Sequence, residues 1–201
     1  DTPLMLRRIA WRMQESGEGL RANAITQSDL RAVLTAFFCE DWHFPVPDAA
    51  SATEEMLIRL QDRNWVLTLR GSALFGFVHR TFLEYLCALE LAERFRAQII
   101  NGETLIKDHI HPRMDDETWH EVLRLLAGML PPLIVEQMIV TLVPDRFPHD
   151  ATPTRLGLAW QVLAEVDNKS IPGLPRACGA LTDGLYLWCE RGAWDRQRLV
   201  E

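Results

Sequence analysis

The sequence predicts a mainly α-helical protein of two packed units. The first, residues 1–100, sets three helices before a short β-hairpin; the second, residues 101–201, is built from antiparallel helices alone. Three observations predict this. Apolar residues recur at helical spacing in several segments of the first half. Two runs of strand-forming residues, Trp65–Leu69 and Leu74–Val78, flank the turn signal Arg70-Gly71-Ser72. Beyond Asn101-Gly102 the pattern is purely helical and is broken at short intervals by proline.

The first helix opens at Thr2-Pro3, because a proline at the first helical position gives up an N–H that would be unpaired anyway. Leu6, Ile9, Ala10 and Met13 form its apolar stripe, and Gly17 and Gly19 end it. The second starts at Thr26, with Asp29 three residues on as a shorter capping-box partner, and turns Leu30, Val33, Leu34 and Phe37 inward before stopping near Cys39. Residues Asp41 to Asp48 hold Pro45 and Pro47 and are expected as loop, since each proline pushes the residue before it to extended geometry. Ser51 and Glu54 repeat the capping spacing for a third helix that buries Met56, Leu57 and Leu60 and ends around Arg63. Three helices followed by a hairpin describe a winged helix.

A fourth helix is expected from Thr81, capped by Thr81 and Glu84, to about Arg96. Phe82, Leu86, Leu89 and Phe95 would face the core, and Glu90, Glu93, Arg94 and Arg96 the solvent. Asp115 or Asp116 caps a helix carrying Trp119, Val122, Leu123 and Leu126 on one face, closed by Gly128 and Pro131-Pro132. Leu133–Val143 follows, stopped by Pro144; Thr152-Pro153 starts a helix to about Val166, and Pro175 one to about Arg191. Successive helices with short breaks suggest HEAT-like pairs.

Composition excludes several classes. Nearly half the residues are hydrophobic, so the chain folds. No apolar run reaches the roughly 18 residues of a membrane span, and no secretory signal is present. A formal charge of -7 argues against a nucleic-acid partner. Cys39, Cys87, Cys178 and Cys189 lack Cys-x-x-Cys spacing and read as reduced cytoplasmic thiols, several in the core. The seven tryptophans read as packing anchors. His109-x-His111, on an irregular stretch without a nearby cysteine, reads as an exposed or hydrogen-bonded pair rather than a metal site. Asp115, Asp116 and Glu117 read as favourable charge at a helix start. No nucleophile elbow, no Gly-x-x-x-x-Gly-Lys-Ser/Thr loop and no acid pair ending an apolar strand occurs, so no catalytic residue is assigned and this chain alone should not hydrolyse ATP. The start at Asp1 without methionine suggests a piece of a larger parent.

His79 lies two residues before the expected cap. Free N–H groups and the positive helix end there would favour an anion beside the imidazole. The residues also allow a plainer reading, in which His79 ends a strand and hydrogen-bonds a neighbouring carbonyl.

The run Phe77-x-His79-x-x-Phe82-x-Glu84-Tyr85-x-x-Ala88 resembles the signature that ends the winged-helix region of NACHT-type signalling NTPases, relatives of animal nucleotide-binding leucine-rich-repeat receptors. Leu6-x-x-Ile9-Ala10-x-x-Met13 and Glu55-Met56-Leu57-Ile58-Arg59-Leu60 resemble the first and pre-wing helices of that region, and Trp119-His120-Glu121-Val122-Leu123-x-x-Leu126-Ala127-Gly128 the start of the helical repeats after it. The resemblance implies that His79 contacts the β-phosphate of ADP in the intact parent, with Phe77, Phe82 and Tyr85 as an aromatic scaffold and Glu84 as the cap. It implies ADP or ATP with magnesium in the parent and none in this chain alone. It also implies the parent's nucleotide-binding domain as one partner, and a protein trigger or oligomer partners reached through the repeats. For a bacterial member it implies a place in defence or stress signalling. Two other classes compete: a nucleotide-independent helical scaffold, and a DNA-reading transcription regulator, for which Thr26–Cys39 offers only Arg31 as a cation.

Overall fold

A computed structural model describes residues 2–16, 23–62, 66–71, 73–143, 154–167 and 173–198, with side chains described at all of these except 61–62 and 191–198. The chain divides into two compact units, Asp1–Glu90 and Leu91–Glu201.

The first unit runs α1 (Thr2–Glu15), β1 (Ile25–Thr26), α2 (Gln27–Glu40), α3 (Val46–Asp62), β2 (Leu67–Arg70), β3 (Leu74–Phe77) and the first part of α4 (Arg80–Arg96). α1 buries Ile9, Ala10 and Met13 from the expected stripe; its expected glycine stop at Gly17 and Gly19 lies outside the described residues. α2 begins at the expected cap, where Thr26 Oγ1 accepts the backbone N–H of Asp29 at 3.0 Å and donates to the Asp29 carboxylate at 2.7 Å. Leu30, Leu34 and Phe37 face the core beneath it.

Two expectations, for α3 and for the sheet, are corrected first. α3 starts at Val46, five residues before the predicted Ser51, because Pro47 sits in the first turn, where a missing N–H breaks no helical bond. Ser51 is then interior to the helix and donates to the Pro47 carbonyl at 3.2 Å. The sheet also has three strands, not two: β1 pairs antiparallel with β3, Ile25 opposite Phe75, giving the order β1-β3-β2. Gly71 turns the hairpin with φ +76°, a conformation that L side chains rarely adopt. Trp65 and Ser72 lie outside the described residues. Phe75 and Phe77 project from β3 into a fully enclosed core with Ile9, Met13, Leu30, Leu57 and Leu67. Burial of one such ring contributes about 1.5–3 kcal/mol.

α4 begins at Arg80, one residue earlier than predicted. Thr81 is an exposed first-turn residue, and Glu84 accepts from Arg80 Nε at 2.6 Å instead of closing a capping box. Its buried face is Leu83, Leu86, Cys87 and Ala88; Phe82 is 43 % exposed. Glu90, expected in solvent, is 3 % exposed and faces two arginines of α1, Arg7 Nε and Arg8 Nη1, each at 3.5 Å, while Arg8 also holds Asp41 at 3.1 Å.

In the second unit α4 ends on Gln98, whose φ of +57° is the left-handed conformation usual for a glycine there, and the N–H groups of Ile99 and Ile100 return to the Arg94 carbonyl. Asn101 caps α5 (Gly102–Thr104), which runs into a π-helical stretch, Leu105–Ile110, and a 3-10 turn, His111–Arg113. Arg113 fastens that turn, donating to the Asp108 and His109 carbonyls and lying 4.4 Å from the Trp119 ring centre. α6 (Glu117–Ala127) is capped by Asp116 and buries the predicted Trp119, Val122, Leu123 and Leu126; Asp115 pairs with Arg155. α7 (Pro132–Leu142) packs on α8 (Thr154–Ala164) and on α9 (Pro175–Arg198), and α6 packs on α8. Pro144, Thr152 and Pro153 lie outside the described residues. α9 runs seven residues past its predicted end at Arg191. The tryptophans only partly meet the packing expectation: Trp11 and Trp119 are buried, whereas Trp42 and Trp160 are 44 % and 46 % exposed.

Candidate functional site

The site is the junction of β3 and α4. β3 is the central strand, held by β1 on one side and β2 on the other, and its last residue, Phe77, is pinned from outside the ladder. Asn23 donates from Nδ2 to the Phe77 carbonyl at 2.9 Å and accepts the Phe77 N–H on Oδ1 at 2.9 Å, so one carboxamide extends β1 by a step. Arg70 of β2 donates to the same carbonyl at 2.5 Å. Gly76 makes room for both: a β-carbon there would lie 2.5 Å from the Asn23 carbonyl oxygen and 2.9 Å from Arg70 Nε. Val78 N–H then bonds to the Val66 carbonyl at 2.8 Å. The chain is thus fixed up to the residue before His79.

His79 directly precedes α4 and is exposed. Its carbonyl accepts the Phe82 N–H at 3.1 Å, and its ring lies 6.0 Å from the Phe82 ring, tilted by 36°. Of the expected aromatic scaffold, then, Phe82 neighbours the imidazole. Phe77 is a fully buried anchor, and Tyr85 is 45 % exposed one turn further along. The first turn of α4 contains no acidic residue and begins with Arg80. A cation there opposes the helix dipole, and Glu84 offsets it from one turn on. The result is a patch whose imidazole and helix start favour an anion, with the Arg80 guanidinium held by Glu84.

Sequence reasoning placed His79 correctly at a helix start and missed its supports. Asn23 carries no local signal, because its partner is 54 positions away. Gly76 carried one, a glycine inside a strand run.

His109 is half-buried in the π-helical stretch and His111 is exposed after it; among the described residues no three His, Cys, Asp or Glu side chains could share a metal ion. The cysteines are free thiols, with Cys87 buried, Cys39 and Cys178 half-buried and Cys189 exposed.

The helix order, the three-stranded sheet and the β3–α4 junction agree with a comparison against protein families, in which the model for the winged helix-turn-helix domain C-terminal to NACHT matches residues 2–91. Residues 2–91 are a winged-helix domain of the NACHT-associated kind. No curated protein and no solved structure gives a significant match. A winged helix C-terminal to NACHT is a regulatory element and not a catalytic one, and residues 2–91 are accordingly a NACHT-associated regulatory domain. Among the described residues no helix is long and apolar enough to cross a membrane.

Proposed function

We propose that this chain is the switch arm of a cytoplasmic NACHT-type NTPase, in which His79 of the winged-helix domain holds the β-phosphate of ADP in the inactive state. One observation carries the reading: an exposed imidazole stands directly before a 17-residue helix whose first turn contains no acidic side chain, within a domain of the NACHT-associated family. The Asn23–Phe77–Arg70 clamp fixes the backbone that carries the histidine, and Glu84 holds the neighbouring Arg80. ADP supplies the phosphate charge; the remaining nucleotide contacts belong to the parent's nucleotide-binding domain. Loss of the diphosphate form weakens the hold of His79 and frees the winged-helix domain to move. The helical segment after it receives a protein trigger or oligomer partner, in defence signalling where the parent is bacterial.

A DNA-reading role has less support. Arg31 is engaged by Glu54, at 2.7 Å from Nε. α3 carries Asp48, Glu54, Glu55 and Asp62 against a single described cation, Arg59, itself paired with Glu55.

The test is the nucleotide retained by the intact parent on purification. Native protein is expected to carry ADP and the His79→Ala variant to have lost most of it. Equal ADP content in both would sink the reading.

A further inference from the structure

The second unit contains a cleft of about 520 Å³ between the π-helical stretch and α7, with the start of α9 at its edge. Ile106, Ile134 and Val140 form its apolar lining, and Lys107 and Arg176 stand exposed beside them. Gly102 closes one end, since a β-carbon there would lie 2.8 Å from Ile134 Cδ1. Buried Glu136 fixes the other side by accepting the backbone N–H groups of Arg176 and Ala177 at 2.9 and 3.4 Å, which sets where α9, and with it Arg176, begins.

The charge on this cleft is unusual for the molecule. Almost every described arginine is engaged: Arg7, Arg8, Arg31, Arg59, Arg80, Arg96, Arg124 and Arg155 in ion pairs, and Arg70 and Arg113 on carbonyls, with Arg94 also partnered. Among the described residues, the Lys and Arg side chains that make neither an ion pair nor a hydrogen bond are Arg12, Lys107 and Arg176. Two of these three share one cleft, against a single carboxylate on its lining, Glu103, in a protein of net charge -7. The backbone that presents Ile106 and Lys107 is π-helical, a rare geometry that recurs at functional sites.

We propose that this cleft binds an acidic peptide segment of a partner protein, seating an apolar side chain on Ile106, Ile134 and Val140 while its carboxylates face Lys107 and Arg176. Its volume falls in the range of small-ligand pockets, about 300–1,000 Å³. The inference rests on the reading of the second unit as partner-binding and is independent of His79.

The test is a peptide array in which net charge and apolar content vary independently, probed with the full chain and with three charge-reversed variants, Lys107→Glu, Arg176→Glu and Arg12→Glu. All three positions are exposed, so folding should survive, and Arg12→Glu repeats the charge change away from the cleft. The full chain is expected to retain peptides that are both acidic and apolar. Lys107→Glu and Arg176→Glu should each weaken that binding about tenfold, as loss of an attractive charge at an interface does, and Arg12→Glu should leave it unchanged. Acidic peptides held equally by all variants would overturn the site while leaving partner binding in place; retention of no acidic peptide by the full chain would overturn the proposal outright.

Discussion

Asn23 satisfies both backbone groups of Phe77, giving and receiving a hydrogen bond at 2.9 Å, and so finishes the strand that delivers His79 to the start of α4. Phe77 is fully buried, and its N–H has no water to replace a lost partner. Asn23→Ala is therefore expected to destabilise the winged-helix domain by about 1–3 kcal/mol, the cost of an unsatisfied buried donor. Gly76→Ala, which forces a β-carbon against the Asn23 carbonyl, should cost a similar amount. Urea unfolding of the full chain checks both; unchanged midpoints would mean the clamp does not hold the strand.

Glu90 makes a sharper contrast. With 4 % of its side chain exposed between Arg7 and Arg8, Glu90 gives both arginines a carboxylate; Arg8 keeps Asp41 when it is removed, and Glu90→Ala should cost about 1–3 kcal/mol. Glu54→Ala removes an exposed pair with Arg31 and should shift the melting temperature little. Similar losses from the two variants would contradict the assignment of Glu90 as a structural centre.

The cap on α9 is a side chain from another helix. Glu136→Ala leaves the Arg176 and Ala177 N–H groups without their acceptor and is expected to lose about 0.5–2 kcal/mol, as loss of a helix cap does. Glu136→Gln keeps an acceptor and should lose less. Amide exchange at 176 and 177 reads this directly, and equal protection in all three proteins would refute it.

Acid should loosen the helical unit. Hydrogen bonds from Arg155 hold the Asp115 carboxyl below the usual carboxylate range, and those from Arg124 do the same for Glu121. Both folded pKa values are depressed, so the stabilisation is complete above the unfolded pKa of about 4 and is lost as pH falls through the folded values. Arg124→Met should thus melt below the native protein at about pH 7, and the gap should be narrower at about pH 3. A gap that is the same at both pH values would place the role of Arg124 in packing alone.

How much of this the sequence revealed depended on distance along the chain. Thr26 and Asp116 were legible as caps because each bonds an N–H two or three residues away. β1 was not: two residues carry no alternation, and Ile25 becomes a strand only by meeting Phe75. Glu84 was misread because Arg80, a side-chain partner one turn back, competes for its carboxylate. Glu90 was placed in water on its charge, since nothing local signals that Arg7 and Arg8 lie opposite. Pro47 was read as a breaker although the first turn of a helix tolerates it. His79 itself was legible from its neighbours, while Asn23 and Arg70, which fix the chain beside it, required the fold.

The central claim is tested most directly by the rate at which the intact parent releases ADP, followed with a fluorescent ADP analogue chased by excess unlabelled nucleotide, in native and His79→Ala protein. Loss of a hydrogen bond to a charged phosphate, about 1.5–3 kcal/mol, predicts release faster by roughly 10- to 100-fold. Release at the native rate from His79→Ala would contradict the account and leave His79 as the exposed residue that joins β3 to α4.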